Sequence, residues 1–364
     1  MNAALQRLMA AGELDLGPGD GLRVLQGTME IANQMSILSR GLKQWGVRSA
    51  TLNYFPTYLG YGADYVWNVA AEPDRNAAAH RMRKLAQLLA GRFDLFHFHF
   101  GTTLTLDHSD LPLLRERNVP VFMQHRGSDV RLLSVARRMN PYALAKVRNE
   151  QRIRERMRRL SRYIRHCVIA DPELYPYVRD EYEFIHYVPR MIDLSQYPPV
   201  EPTANTTDVP LIVHAPTHAE IKGTPYLLKA IETLKLKHRF RFKLVQGLSH
   251  SQAKWWYRKA DLIVDQLHIG AYGMFAVEAM AMGKPVICWI SDYMKERYPA
   301  SLPIISANPD TIVSVLDRAL AERDKLPAIG RAGRQYVELY HDMTMNSKRC
   351  LAIYDRVLGK GRPN

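Results

Sequence analysis

The sequence predicts an α/β protein made of two Rossmann-like halves. Three observations carry this: a length of 364 residues, repeated alternation of short apolar runs with stretches of helical period, and a proline-rich break in the middle of the chain. Strand–helix–strand repetition with connections of this length demands parallel sheets covered on both faces. At 47% hydrophobic and 24% charged residues, the composition is that of a globular chain and excludes disordered and fibrous classes.

Taken in order, Leu22 to Gln26 is a short apolar run ending in Gln26-Gly27-Thr28, and Ile37 to Trp45 has helical periodicity closed by Gly46, a helix-stop residue. Val47–Leu52 reads as a strand, Arg81–Leu89 as a helix, and Leu95–Phe100, Pro120–Gln124 and Cys167–Ala170 as further strands. The segment Tyr197 to Pro210 holds four prolines and little apolar content, which marks an interdomain linker. After it the alternation resumes: strand Leu211–His214, helix Pro225–Lys235, strand Phe240–Val245, helix Ser251–Lys259, strand Leu262–Asp265, helix Phe275–Met282 and strand Pro285–Trp289. The expected domains are residues 1–195 and residues 196–340, with a closing helix at 341–364.

Three cysteines, far apart and without Cys/His clusters, give neither a disulfide framework nor a zinc site. No apolar run reaches signal-peptide or membrane-spanning length, so a cytoplasmic protein is expected. The formal net charge is +14, and residues 136–165 concentrate it, with eleven Lys and Arg against Glu150 and Glu155. Within them Ile153, Met157, Leu160 and Ile164 form one stripe of a helix, with arginines on the other faces. Such a helix either rests on an anionic membrane surface through residues 150–165, giving peripheral association at the inner face, or is a solvated helix whose stripe joins the core. Nucleic acid is not an expected partner, because aromatic interleaving and binding motifs are missing.

Chemistry collects where strands end. The carboxyl ends of both sheets are expected at one central cleft, where ligands of such sheets bind. The strand at Leu262–Asp265 is followed by Gln266, His268, Gly270, Tyr272 and Gly273, and then by a helix opening at Met274 and Phe275 and carrying Glu278. Glycines permit close approach of a ligand, helix N–H groups suit a diphosphate, and a carboxylate one turn in can accept both hydroxyls of a ribose. Glu278 also has a plain reading as a carboxylate favoured by the helix dipole. Kinase, hydrolase and dehydrogenase motifs are missing.

Gly270 to Pro285 resembles the donor-binding segment of retaining glycosyltransferases of the GT-B fold, particularly family 4. There, two glutamates eight positions apart flank a Gly-aromatic-Gly turn before a Glu-Ala-Met-Ala helix and a Gly-Lys-Pro-Val strand. Glu278 stands at the second glutamate and Gly270 at the first. The resemblance implies a ribose role for Glu278, with Gln266, His268 or turn amides meeting the sugar. His214 to Thr224 resembles the family's phosphate motif: Lys222 is present, while His218 or Ala219 replaces the usual arginine. Val188-Pro-Arg190-Met-Ile-Asp193 resembles a Val-Pro-Asn-Gly-Ile-Asp segment, which brings Arg190 toward the phosphates. Met123 to Asp129 resembles an acceptor-side segment in which His125 approaches the donor sugar, alongside Arg126 and Asp129. Gln26-Gly27-Thr28 falls at the family's glycine-rich loop, and His99 follows another strand into the acceptor pocket. Gly330 to Leu358 resembles the family's closing helices, which implies that the helix at 341–364 returns to the first domain.

His125 has a competing reading as a satisfied core histidine. His97 and His99 alternate on one face of a strand, with Phe96 and Phe98 on the other, and packing or acceptor contacts are favoured over a metal site. The resemblance implies metal-independent, retaining transfer from a nucleotide-diphosphate sugar, used as co-substrate without a further cofactor. The acceptor hydroxyl would lie on a saccharide or lipid-linked acceptor in cell-envelope polysaccharide or glycolipid biosynthesis. The catalytic set would be His125, Lys222 and Glu278. Alternatives are a catalytically idle GT-B scaffold that binds nucleotide or a partner, and a sugar-nucleotide epimerase of the same fold.

Overall fold

The computed structural model describes residues 1–17, 19–200 and 209–359, which divide into two compact units. The first comprises Met1–Arg131, Asn149–Met191 and the chain from Met343 onward; the second comprises Leu132–Arg148 and Ile192–Asp342.

The first unit holds strands β1 (Arg23–Thr28), β2 (Arg48–Asn53), β3 (Tyr65–Val66), β4 (Leu95–His99), β5 (Val121–His125), β6 (His166–Ile169) and β7 (Phe184–Tyr187). They form one sheet in the order β3-β2-β1-β4-β5-β6-β7, every neighbouring pair parallel. The central strands are buried on both faces, as in a sheet covered on both sides, and carry Gln26, His97, His99 and Gln124 among their apolar residues. β3 and β7 lie at the edges. Two residues of β3 are too few to show a period, and β7 is only partly covered, so neither stood out in the sequence. One layer packs the helix Gln34–Lys43 against Met343–Val357 around Val24, Leu38, Leu42, Phe122 and Tyr354. Gly41 allows the close approach: a Cβ there would lie 2.6 Å from the Ser347 side chain.

The second unit holds β8 (Leu211–His214), β9 (Arg241–Leu244), β10 (Leu262–Val264), β11 (Val286–Ile287) and β12 (Ile304–Ile305), in the parallel order β12-β11-β10-β8-β9. The helices Thr224–Lys235 and Ile312–Ala321 cover one face around Leu227, Ile231 and Leu316. Met274–Ala281, His250–Lys259 and Leu326–Tyr340 gather around Val213, Ile263, Met280 and Val337. Order reversal between β10–β11 and β8–β9 creates the switch point at which open α/β sheets bind ligands.

Most strands and helices fall within a few residues of their sequence-based limits. The region read as a linker, Tyr197 to Pro210, includes 201–208, which lie outside the described residues; Tyr197 itself is buried in the second unit's core. Leu133–Met139 is a helix of the second unit although it precedes 149–191 of the first in sequence. The basic helix forms at Glu150–Ser161 and buries Ile153, Met157 and Leu160 in the first unit. Among the described residues no helix is long and apolar enough to cross a membrane.

Gly330 sets how closely Leu326–Tyr340 seats, because a Cβ there would lie 2.0 Å from the Gly283 carbonyl oxygen. Gly330→Ala is therefore expected to lower stability by about 1–3 kcal/mol through overpacking, read as a lower urea midpoint. Gly333→Ala, which meets the flexible Met280 side chain at 3.1 Å, should cost less; equal midpoints for Gly330→Ala and wild type would disprove the packing argument.

Candidate functional site

The switch point of the second unit is organised by Asp265, the residue after β10, which is fully buried. Its Oδ1 accepts from Lys222 Nζ at 2.6 Å and its Oδ2 from the Gly273 amide at 3.1 Å. Lys222 also donates to Gln266 Oε1 at 2.8 Å, and Gln266 Nε2 donates to the Ala271 carbonyl. One buried carboxylate thus joins the end of a strand, the last residue of the short helix Ala219–Lys222, and the N-cap of Met274–Ala281. An ammonium carries three donors, so Lys222 keeps one donor direction beyond Asp265 and Gln266.

Glu278 projects from the second turn of that helix and is 6% exposed. Its Oε1 accepts from His250 Nε2 at 2.8 Å and from the Tyr197 hydroxyl at 3.1 Å. His250 is the first residue of a helix capped by the Ser249–Gln252 box, which fixes its position. Lys222, Gln266, Gly273 and Glu278 are therefore joined through Asp265 and one helix.

Gly270 has φ +78°, and a Cβ there would stand 2.8 Å from Asn140 Nδ2 and 2.9 Å from Ser291 Cβ. Asn140 is locked by donating to the His268 carbonyl at 2.7 Å and accepting from Trp289 Nε1 at 3.0 Å. Any side chain, a glutamate included, would meet both steric conflict and an unfavourable φ. The departure from the two-glutamate pattern thus has a physical basis. His268 turns its Nδ1 to the Tyr142 carbonyl at 2.8 Å, and Tyr272 is buried with its hydroxyl on His341 and Tyr336. Both are engaged in packing the second unit. His218 is exposed and caps the short helix through a long 3.5 Å contact, while Met274 and Phe275 are half-buried, Phe275 packed on the Tyr257 ring at 4.6 Å.

The remaining sequence candidates belong to the first unit. His125, at the end of β5, is 1% exposed; its Nδ1 bonds Asp129 Oδ2 at 2.7 Å and its Nε2 the Tyr182 hydroxyl at 2.8 Å. Asp129 Oδ1 accepts from the Arg126 and Gly127 amides. Burial pushes the Asp129 carboxyl up, but His125 and these hydrogen bonds outweigh it and hold it below its usual range. Both ring nitrogens of His125 are satisfied internally, the arrangement of a core histidine. Arg126 Nη2 bonds His99 Nδ1 at 2.9 Å, and His99 Nε2 bonds Gln26 Oε1 at 3.0 Å, so Arg126 and His99 are direct partners. His97 and His99 stack at 4.7 Å on one face of β4. Arg190 donates to the buried Asp171 at 2.6 Å, and Gly27 lies beside the Leu52 carbonyl in β1.

Sequence reasoning missed Asp265, His250, Tyr197 and Asn140. Asp265 carried a usable signal, a carboxylate directly after a wholly apolar strand. The other three are brought in by distant segments and had none.

No protein-family model and no curated protein matches the chain. Solved structures do match it. A sucrose-phosphate synthase from Thermosynechococcus elongatus is 15% identical, with a TM-score of 0.65 over 93% of this chain and 100% of that one. HepE from Anabaena, in complex with UDP and glucose, is 12% identical, with a TM-score of 0.63 over 92% and 100%. A putative UDP-N-acetylglucosamine 2-epimerase from Listeria monocytogenes is 14% identical, with a TM-score of 0.59 over 95% and 99%. At these identities the likeness is one of fold: the chain has the two-domain α/β architecture of the GT-B glycosyltransferases.

Two predictions arise. Gly270→Glu should lower the thermal midpoint without improving nucleotide binding; a tighter nucleotide Kd in this variant would overturn the steric argument. Burial, helped by Arg126 and His186, lowers His97 from 6.5 to about 3. The unfolded chain therefore binds the extra proton between these values, and stability should fall as pH drops from 6.5 toward 3. In His97→Gln that slope, measured by urea denaturation, should flatten.

Proposed function

We propose that the chain is a glycosyltransferase that takes its sugar from a nucleotide diphosphate, of the kind found in family 4. The observation that carries this is the joining of Lys222, the N-terminus of Met274–Ala281 and the buried Glu278 around Asp265 at the switch point of the second sheet. HepE, which shares the fold, is in complex with UDP and glucose.

Lys222 and the amides at the helix start oppose the charge that grows on the departing diphosphate, in place of a metal ion. Glu278 is oriented by His250 and Tyr197 through one oxygen, and its other oxygen receives the ribose hydroxyls. Gln266 and the turn amides meet the sugar. In the first unit the Asp129–His125–Tyr182 chain acts as a rigid support for the Arg126–Gly127 turn, to which the family resemblance gives an acceptor role. Transfer with retention, and an acceptor drawn from envelope polysaccharide or glycolipid synthesis, complete the reading. A second reading is favoured by Asp265, which already neutralises Lys222: a scaffold that binds nucleotide without transferring sugar.

Calorimetry with UDP-, GDP-, ADP- and TDP-sugars tests both. One nucleotide class is expected to bind, with Glu278→Gln and Lys222→Met each weakening it by about ten- to a hundredfold, the loss of a charge-assisted contact. Release of free nucleotide diphosphate on adding a sugar or lipid-linked acceptor marks the transferase. Binding without release, across an acceptor panel, would select the scaffold, and no binding by any nucleotide would reject both.

A further inference from the structure

The first unit contains two adjoining cavities at the carboxyl end of β4. The larger, about 680 Å³, lies between the loop Gly101–His108 and the start of the basic helix, and receives Arg152, Arg156 and Arg159. Arg156 is anchored on the Asp129 carbonyl. Its guanidinium runs against Gly101, whose φ of +66° and missing Cβ leave room for it, a Cβ there standing 3.2 Å from Arg156 Nε. Arg152 and Arg159 have no carboxylate partner among the described residues. Glu155 also lines the space and accepts from Gln151, leaving an excess of positive charge. His108 is buried in the wall, and its Nδ1 has no hydrogen-bond partner among the described residues. Burial and the nearby Arg159 lower its pKa, which fits an electropositive enclosure. The start of the twelve-residue helix, capped by Asn149, which accepts from the Arg152 amide, also lines the space.

The second cavity, about 310 Å³, shares Thr105 and Leu106 with the first, so the two are neighbours. Its walls are apolar: Phe55, Val69, Ala78 and Met82. Arg75 and Asp107 also line it, and Asp107 is already paired with Arg83. A basic, polar space beside an apolar one, with Thr105 and Leu106 in the wall of both, is matched by a ligand with the same division.

We propose that this double cavity seats a phosphoryl ester carried on a hydrocarbon chain, the phosphoryl oxygens among Arg152, Arg156 and Arg159 and the chain against Phe55, Val69, Ala78 and Met82. Planar guanidinium groups suit bidentate contact with a phosphoryl group, and the apolar walls remove hydrocarbon from water. That this ligand is the sugar acceptor rests on the glycosyltransferase reading; that it binds does not.

The test is calorimetric binding of octyl phosphate below its micelle concentration, with glycerol phosphate and octyl glucoside as probes lacking one half of the ligand. Octyl phosphate should bind at least about tenfold more tightly than either. Arg152→Gln with Arg159→Gln should weaken it by about tenfold or more. Arg154→Gln with Arg158→Gln removes the same charge from the helix outside the cavity and should change it less than about twofold. Ala79 also lines the apolar space, so Ala79→Trp, which fills it, should reduce octyl phosphate to the affinity of glycerol phosphate. Equal losses in the two double variants would show a diffuse charged surface, and equal affinities for octyl and glycerol phosphate would show no hydrocarbon seat; either overturns the proposal.

Sedimentation with phosphatidic acid vesicles separates the sources. Vesicle binding lost in Arg152→Gln/Arg159→Gln identifies a membrane lipid, octyl phosphate binding without vesicle binding identifies a soluble ester, and neither defeats the proposal. Nucleotide binding followed in the same variants keeps the two readings apart: its absence with octyl phosphate retained defeats the glycosyltransferase reading alone, and the converse defeats this one alone.

Discussion

The second unit's candidate site depends on one buried carboxylate. Asp265 has no contact with solvent, and taking such a charge out of water costs several kcal/mol unless it is paired and hydrogen-bonded. Lys222 and the Gly273 amide supply that compensation. Because the two come from different segments, satisfying Asp265 also fixes where the short helix at Ala219–Lys222 ends and where Met274–Ala281 begins. Glu278 then follows from the helical rise, and Gln266 from its own bonds to Lys222 and Ala271. The same ion pair that builds the site also sets the charge any incoming phosphate encounters.

A comparable constraint runs through the first unit. Gln26 on β1, His97 and His99 on β4, and Gln124 on β5 form a polar layer inside a covered sheet, closed by Tyr354 and Arg126. Desolvation keeps both histidines in their neutral form and brings Arg126 down to about 10. Its members satisfy one another in large part, while His97 Nε2 and Arg126 Nε have no hydrogen-bond partner among the described residues. Tyr354 comes from the last helix of the chain, so the closing helix is held to the sheet by polar as well as apolar contacts.

Much of this was legible beforehand. Alternation of apolar runs and helical stretches revealed the central strands of both sheets, because a strand covered on both faces is mostly apolar whatever its partners are. The edge strands β3, β7 and β12 stayed hidden, since two to four residues, partly exposed, carry no period. Gln266, Gly273 and Glu278 could be grouped because local geometry along a strand–turn–helix path joins them, while Lys222 entered only through the resemblance of His214 to Thr224 to a phosphate motif. His125, Tyr272 and His268 show the limit of that logic: each sits beside the right turn, yet each binds a partner from a distant segment, Tyr182 for His125, His341 for Tyr272 and Tyr142 for His268.

By itself the sequence determined the class of architecture, the two parallel sheets, the strand end that carries the candidate site and the apolar stripe of the basic helix. These are consequences of short-range period and of residue type. Tertiary structure alone decided that Asp265 neutralises Lys222, that Asn140 and Ser291 occupy the space beside Gly270, that His250 and Tyr197 orient Glu278, and that three of the many arginines share one cavity. The residue pairings among these span tens to more than a hundred residues, and the three arginines, neighbours on one helix, meet a loop from an earlier segment, Gly101–His108. Whether a polar side chain is spent internally or left for a ligand depends on which distant group folding brings within hydrogen-bond reach.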